Sequence, residues 1–287
     1  MTVIQDQTFD EERALYGSRD LLAKNCRFDG PADGESAFKE SVGVQAQDCY
    51  FNLRYPFWHD RGVIIRDSEM TAQCRAALWY SEDIAITGTR LHGIKALREC
   101  ARVTLRGCDV CSPEFGWSVR GLAMEQCAVE GEYLMMRARQ LRFLKVQVKG
   151  KYSFQYIREA EFEHCVFDTK DAFWHAENVT VRNSVLQGEY LGWYSDGLTL
   201  VDCKIIGTQP LCYCKNLKLV HCEMVDTDLA FERSQVEADI TTPVLSIKNP
   251  AAGHIYAPAV GEFIRDDETA QGEVILGTPC GEPGCCA

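Results

Sequence analysis

The chain has 287 residues, 46% of them hydrophobic and 25% charged, with a formal net charge of −12. That acidity excludes nucleic acid and anionic membrane surfaces as default partners, and no stretch approaches the roughly eighteen apolar residues that a membrane span needs. The opening MTVIQDQTFDEER has no basic start leading into an apolar run, so a secretory signal is not expected and a cytoplasmic home is.

In chain order, residues 1–12 are polar and acidic and read as an N-terminal cap or lead-in. From residue 13 a repeat begins. Its first unit sets Leu21, Ala23, Cys26 and Phe28 in four inward columns, and its second sets Val44, Ala46, Cys49 and Phe51 in the same four. Val63, Ile65, Ser68 and Met70 follow, then Ile84, Ile86, Thr89 and Leu91. Spacings along the third column run 23, 19 and 21 residues and then settle at 19. Seven regular repeats, from RVTLRGCDV to NLKLVHCEM, bring Cys108, Cys127, Val146, Cys165, Ser184, Cys203 and Cys222 into register without a gap. A degenerate twelfth carries Val236, Ala238, Thr241 and Pro243.

Alternation of apolar and polar residues within each repeat means strand, while the long period means coil upon coil. A strand of four or five residues cannot bury its apolar side alone. Stacked on its neighbours at about 4.8 Å it pairs its backbone and lines up identical side chains in columns. The expected fold is therefore all-β: a single-stranded parallel β-helix, a solenoid of about twelve rungs with a 19-residue period over residues 13–243. A C-terminal cap over 244–264 and a flexible acidic, Cys-containing tail over 265–287 are expected to follow.

Of fifteen cysteines, the ladder accounts for Cys26, Cys49, Cys108, Cys127, Cys165, Cys203 and Cys222. Parallel neighbours in one ladder are poorly placed for a disulfide, so reduced thiols are expected. Cys280, Cys285 and Cys286 in the tail lack the spacing of a complete metal site. With no phosphate-cradling glycine loop, nucleotide fingerprint or zinc-ligand spacing either, no cofactor is expected.

The second half of each rung carries the functional candidates. Counting ten residues back from the next ladder position places Trp58, Trp79, Trp117, Trp174 and Trp193 in one column, together with Tyr16, Lys39, Arg98, Met136, Gln155, Cys212 and Phe231. The adjoining column includes His59, Tyr80, Tyr156, His175, Tyr194, Tyr213 and Glu232, and a third has Tyr55, Tyr133, Tyr152, Asp171 and Tyr190. Strict alternation would put the tryptophans inside, and Lys39 and Arg98 with them, at the cost of burying unpaired cations. A bend would turn them outward. Either register leaves an aromatic and acidic strip on the outside.

That strip is either a packing ladder, covered by a terminal segment or a second subunit, or a ligand groove. As a groove, its contacts are Trp58, Trp79, Trp117, Tyr152, Trp174, Tyr190, Trp193, Tyr194, Tyr213 and Glu232, whose apolar faces and polar edges suit sugar rings. The expected function is thus binding of a carbohydrate-like ligand or a protein partner. A polysaccharide hydrolase or lyase is one alternative, and a structural scaffold or homo-oligomer module is another. Were there catalysis, Asp171 and Glu189 on adjacent turns, with His175 close by, are the candidates. One carboxyl would act as acid and the other as base, provided they stand about 5–9.5 Å apart. The plainer reading of these residues is a solvated acidic edge.

The motifs ERALYG (12–17), FKES (38–41), YPFW (55–58), AALWY (76–80), KDAFWH (170–175), GEYLGWYS (188–195), QPLCY (209–213) and LAFE (229–232) occur in order along this architecture. Together they resemble a bacterial family of pectin-lyase-like β-helix proteins, the domain of unknown function 3737, over residues 12–260. The resemblance implies right-handed coiling and supplies no activity.

Overall fold

The computed structural model describes residues 1–277. The chain divides into two compact units, Met1–Cys165 and Val166–Ala287. No helix occurs among the described residues, and none is long and apolar enough to cross a membrane. Each unit is a parallel β-solenoid built from the repeat read in the sequence.

In the first unit nine strands stack in parallel register along one wall, from Thr2–Gln5 and Arg19–Lys24 to Arg139–Leu144 and Arg158–Glu163. A second wall is made of shorter strands such as Arg27–Phe28, Tyr50–Phe51 and Ala128–Glu132. In the second unit the long wall runs through Glu177–Arg182, Asp196–Val201, Leu217–Val225, Gln235–Ile240, Ala252–Ala257 and Glu273–Leu276. The twelve rungs counted from sequence are thus joined by one before them and two after. Thr2–Gln5, in the expected lead-in, already pairs with Arg19–Lys24. Glu273–Leu276, in the expected tail, pairs with Ala252–Ala257. Cys280, Cys285 and Cys286 lie outside the described residues.

The four inward columns are buried from the first rung through Met224. Aromatic members stack rung on rung; Phe28 and Phe51 lie 4.6 Å apart and 2° from parallel. The twelfth rung departs from expectation. A register shift between Leu219 and Cys222 sets Ile240, not Thr241, opposite Cys222. Thr241 and Pro243 are exposed, and Thr241 donates its N–H and hydroxyl to the Cys222 carbonyl. One residue fewer at this corner turns the rest of the rung over, because side chains alternate faces.

Why the third column is mostly Cys, Ser or Thr follows from the corner it occupies. The chain bends there, and the residue before the ladder position adopts a positive φ: 50° at Asn25, 53° at Asp48 and 50° at Asp202. The carbonyl two positions before the ladder residue turns toward the interior. Cys49 donates its thiol to the Gln47 oxygen at 3.3 Å, Cys203 to Val201 at 3.2 Å and Cys222 to Val220 at 3.5 Å. Ser68, Thr89 and Ser184 make the same bond with a hydroxyl, to Arg66, Thr87 and Arg182. A small donor is favoured here, because an unsatisfied buried carbonyl is costly, although Val146 fills the position in one rung without donating.

A second such column, not read from the sequence, lies at the corner that opens each rung. Ser81, Cys100, Ser195, Cys214 and Ser234 are all buried there. Cys100 donates to the Leu78 oxygen at 3.3 Å and Cys214 to Gly192 at 3.1 Å. Burial pushes the thiols of Cys100, Cys214 and Cys222 up to about 12, and every cysteine among the described residues is unbridged. A protonated, buried thiol is a poor nucleophile. Under native conditions a thiol-alkylating reagent should therefore modify the exposed Cys111 while Cys203, Cys214 and Cys222 stay unmodified until the fold is denatured. Peptide mass mapping reads this directly, and modification of those three at the rate of Cys111 would refute the ladder's protection.

Candidate functional site

The wall that closes each rung has no regular strand along most of its length. Every second residue takes a positive φ: Asp171 54°, Phe173 62° and His175 54° in one rung, then Tyr190 57°, Gly192 74° and Tyr194 61° in the next. This conformation is unfavourable for residues with a Cβ, and vertical hydrogen bonds offset it. Asp171 and His175 donate to the carbonyls of Glu189 and Trp193, while Gly192 donates back to Ala172. The first unit repeats the scheme, with Glu114 and Ser118 donating to Glu132 and Met136, and Gly116 to Ala96. Handedness that alternates residue by residue replaces one-in, one-out with two-in, two-out. Leu191 and Gly192 are buried, Trp193 and Tyr194 face outward, and Ser195 is buried again.

This decides the register left open by sequence. The tryptophans are not inside; all five are half-buried on the outer surface, so the bend, not strict alternation, is correct. Lys39 and Arg98 are out with them. Arg98 lies between the rings of Trp79 and Trp117, 5.2 and 4.6 Å from their centroids, with Glu114 at 3.6 Å. A cation held on aromatic faces beside a carboxylate carries no burial penalty of the kind strict alternation implied.

The indole N–H groups are already in use. Trp79 donates to the Lys95 carbonyl, Trp174 to Tyr190 and Trp193 to Gln209, each at 2.7 Å, and Trp117 donates to Tyr133. Trp58 packs edge-on against Trp79 at 5.5 Å and against Tyr55 at 5.3 Å. Trp174 and Trp193 stack 5.4 Å apart, 6° from parallel. The tryptophans thus tie each rung to the next.

The adjoining column is more open. His175, Tyr194 and Tyr213 form a continuous stack, at 5.0 and 4.9 Å with tilts of 9° and 13°, and Tyr194 is 44% exposed. Tyr190 and Tyr213 both meet the Trp193 ring edge-on. The Tyr213 hydroxyl donates to Glu232 at 3.5 Å, and Lys248 holds the other oxygen of Glu232 at 3.2 Å. Burial, then the Glu232 charge, raises the Tyr213 phenol above its usual range, so it stays a donor. In the first unit His59 stacks on Tyr80 at 5.0 Å, and Tyr133 on Tyr152 at 4.8 Å.

The three catalytic candidates lie on two successive rungs. Glu189 is exposed and paired with Lys170 at 2.7 Å, and the same ammonium sits 5.2 Å from the Tyr190 ring centroid. Asp171 is buried, and burial raises its pKa above the usual carboxylate range, with Lys170 opposing the shift and Glu189 adding to it. The geometry therefore offers one protonation-prone acid beside one lysine-paired carboxylate. His175 sits in the aromatic stack. Among the described residues no group of three or more His, Cys, Asp or Glu side chains could hold a metal ion.

Asp60 was not read from the sequence, although its place in the Ser81–Cys100 column marks it as a carboxyl where small neutral donors belong. It is 2% exposed; one oxygen accepts the Ser41 N–H at 2.7 Å, and the other has no partner. Burial disfavours the charged carboxylate and raises its pKa from 3.8 to about 8.

Comparison with known proteins gives a family and several likenesses. The family model described as "Protein of unknown function (DUF3737)" matches residues 2–276, so the chain belongs to that family. No curated protein matches it. Tailspike protein 3 of bacteriophage CBA120 is similar over 97% of this chain and 57% of its own, at 11% identity and a TM-score of 0.39. The chain thus spans little more than half of that tailspike. PfbA, a surface adhesin of Streptococcus pneumoniae, matches over 90% of this chain and 85% of its own, at 7% identity and TM-score 0.42. The A-module of the mannuronan C-5 epimerase AlgE6 from Azotobacter vinelandii matches over 96% and 89%, at 9% and 0.34.

Two outcomes test this wall. Trp193→Phe keeps a ring but loses the bond to Gln209, and should lower stability by about 1–2 kcal/mol in chemical denaturation; a tryptophan serving only a ligand would leave stability unchanged. For Asp60, the native state retains a proton that the unfolded chain releases above about pH 4. Stability should therefore fall as pH rises from there to about 8 and level off beyond. Asp60→Ser should flatten that slope and raise the melting temperature at pH 8 by several degrees, whereas parallel profiles for the two proteins would show that the carboxyl does not titrate with folding.

Proposed function

We propose that this member of the DUF3737 family is a binding protein for an extended, hydroxyl-rich carbohydrate chain, read by ring edges and not by ring faces. The observation that carries the reading is the stack His175–Tyr194–Tyr213, about 5 Å from ring to ring, with Glu232 hydrogen-bonded at its end. Rings that close have their faces covered by one another, so the surfaces on which a sugar would lie flat are taken. The Tyr194 hydroxyl is exposed, and the Tyr213 phenol with its bonded Glu232 follows on the next two rungs, so polar groups able to donate or accept recur once per rung. A linear polyol presents its hydroxyls in a line of the same kind, and such polar groups fix orientation along a chain.

The test is affinity electrophoresis of the full chain in gels containing soluble neutral glycans: a β-glucan, a xylan and a mannan. Retardation by one of them should weaken about three- to tenfold in Tyr194→Phe and again in Tyr213→Phe, since each removes one hydroxyl and keeps the ring. Unchanged retardation in both variants would overturn the reading. So would absence of retardation together with a dimer that these two substitutions dissociate, which is what a homo-oligomer module predicts.

A further inference from the structure

One pair of ladder cysteines in the first unit stands apart from the others. Cys108 and Cys127 are neighbours on successive rungs, set between the register pairs Arg106–Glu125 and Asp109–Ala128. Both are 3% exposed and unbridged. Each thiol bonds the carbonyl two residues back, Cys108 to Arg106 at 3.4 Å and Cys127 to Glu125 at 3.3 Å. The two side chains therefore point the same way, and their sulfurs stand one rung apart in one file. The Cys127 sulfur also accepts the Cys108 N–H at 3.4 Å. A main-chain donor aimed at sulfur favours the thiolate, the form that binds metal.

Two other pairs are vertical neighbours, Cys26 with Cys49 and Cys203 with Cys222. Their corners are acidic, since Asp48 precedes Cys49 and Asp202 precedes Cys203. The corner residues before Cys108 and Cys127 are Gly107 and Gln126, both neutral and exposed. Beside them Arg106 and Glu125 bond each other at 2.6 Å, so their charges offset. A Cβ added to Gly107 would meet nothing within 4 Å, which leaves the corner over Cys108 open.

We propose that Cys108 and Cys127 form a two-coordinate site for a soft monovalent metal ion, copper(I), held in line between their sulfurs. Metal–thiolate bonds run about 2.3 Å, so two end to end span about 4.6 Å, close to the rung spacing of about 4.8 Å. Thiolates select copper(I), zinc and iron–sulfur clusters. The last two take four protein ligands in structural sites, so a pair favours copper(I). Entry of the ion displaces the thiol protons to solvent, with no change of oxidation state. The dithiolate complex carries one net negative charge, which the neutral corner accepts and which Asp48 or Asp202 would repel at the other pairs. The Arg106 and Glu125 carbonyls keep another donor each, the Gly88 and Gly107 N–H groups at 3.0 Å. The site makes no use of the aromatic wall and is independent of the carbohydrate reading.

The experiment uses the full chain carrying Cys111→Ser, Cys280→Ser, Cys285→Ser and Cys286→Ser, so that the exposed thiol and those near the C-terminus do not compete. Copper(I) is added without oxygen to this parent and its variants, against a chromogenic copper(I) chelator. The parent should retain a single ion per chain. Cys108→Ser or Cys127→Ser should each weaken retention about a hundredfold or more, since losing a ligand exceeds the ten- to hundredfold that losing a ligand's neighbour costs. Serine already fills this column at Ser68 and Ser184, so the metal-free variants should melt close to the parent. Cys203→Ser should retain the ion as the parent does. X-ray absorption of the copper-loaded parent should show two sulfur neighbours and no nitrogen or oxygen. No retention by the parent, retention that survives either substitution, equal loss in Cys203→Ser, or a third neighbour on copper overturns the proposal.

Discussion

The constraint on which this fold depends is the carbonyl stranded at each corner. A rung of nineteen residues turns repeatedly around an interior of buried side chains, and each bend leaves backbone groups that the strand ladders do not reach. Three devices satisfy them. A thiol or hydroxyl bonds the carbonyl two residues back, as at Cys203 and Ser184. A residue of positive φ sends its N–H to the adjacent rung, as Asp171 does to Glu189. An indole reaches the next rung from outside, as Trp193 does to Gln209. Each device recurs at its own place in the rung, though not on every turn: Val146 stands in the donor column and Met136 in the tryptophan column. The period visible in the sequence is the period of these carbonyls.

That is why the interior was so legible. Leu141, Phe143, Val146 and Val148 declare themselves by alternation, and the same four columns hold from Leu21 to Met224. Legibility fails where geometry is set by the backbone and not by side-chain polarity. The two-in, two-out wall arises from positive φ at residues as ordinary as Phe173 and Leu211, and nothing in their side chains announces it. Alternation extended across that wall therefore leaves the tryptophans ambiguous. The second donor column was legible in principle, since Cys100 and Cys214 each lie eight residues before a ladder cysteine, but it needed the reason for the first column to be understood. Thr241 and Pro243 misled because a shift of one residue, invisible in composition, inverts a strand.

The same wall divides labour between neighbouring columns. Tryptophan N–H groups and ring faces are spent inward and vertically, on carbonyls and on each other. The tyrosines one position on have their faces closed by stacking while their hydroxyls remain outward. Tyr194 is held between His175 and Tyr213, so its outward hydroxyl is fixed in place before any partner arrives. Preorganised polar groups cost little entropy to engage, which suits a surface that makes many modest contacts along a chain over one that makes a few deep ones.

Charge on the outer surface is governed by the same vertical logic, and this gives it diagnostic value. In a solenoid each surface residue has fixed neighbours above and below, so opposite charges are stabilising and like charges are not. An Arg61–Glu82 contact needs no function to explain it, because register alone favours it. Arg139 opposite Arg120 runs against that preference, since Gln or Glu in place of Arg139 would lie easier there. The cost is small, a fraction of what one buried thiol bond secures, and the fold tolerates it. The carbonyls make most of this chain periodic for structural reasons.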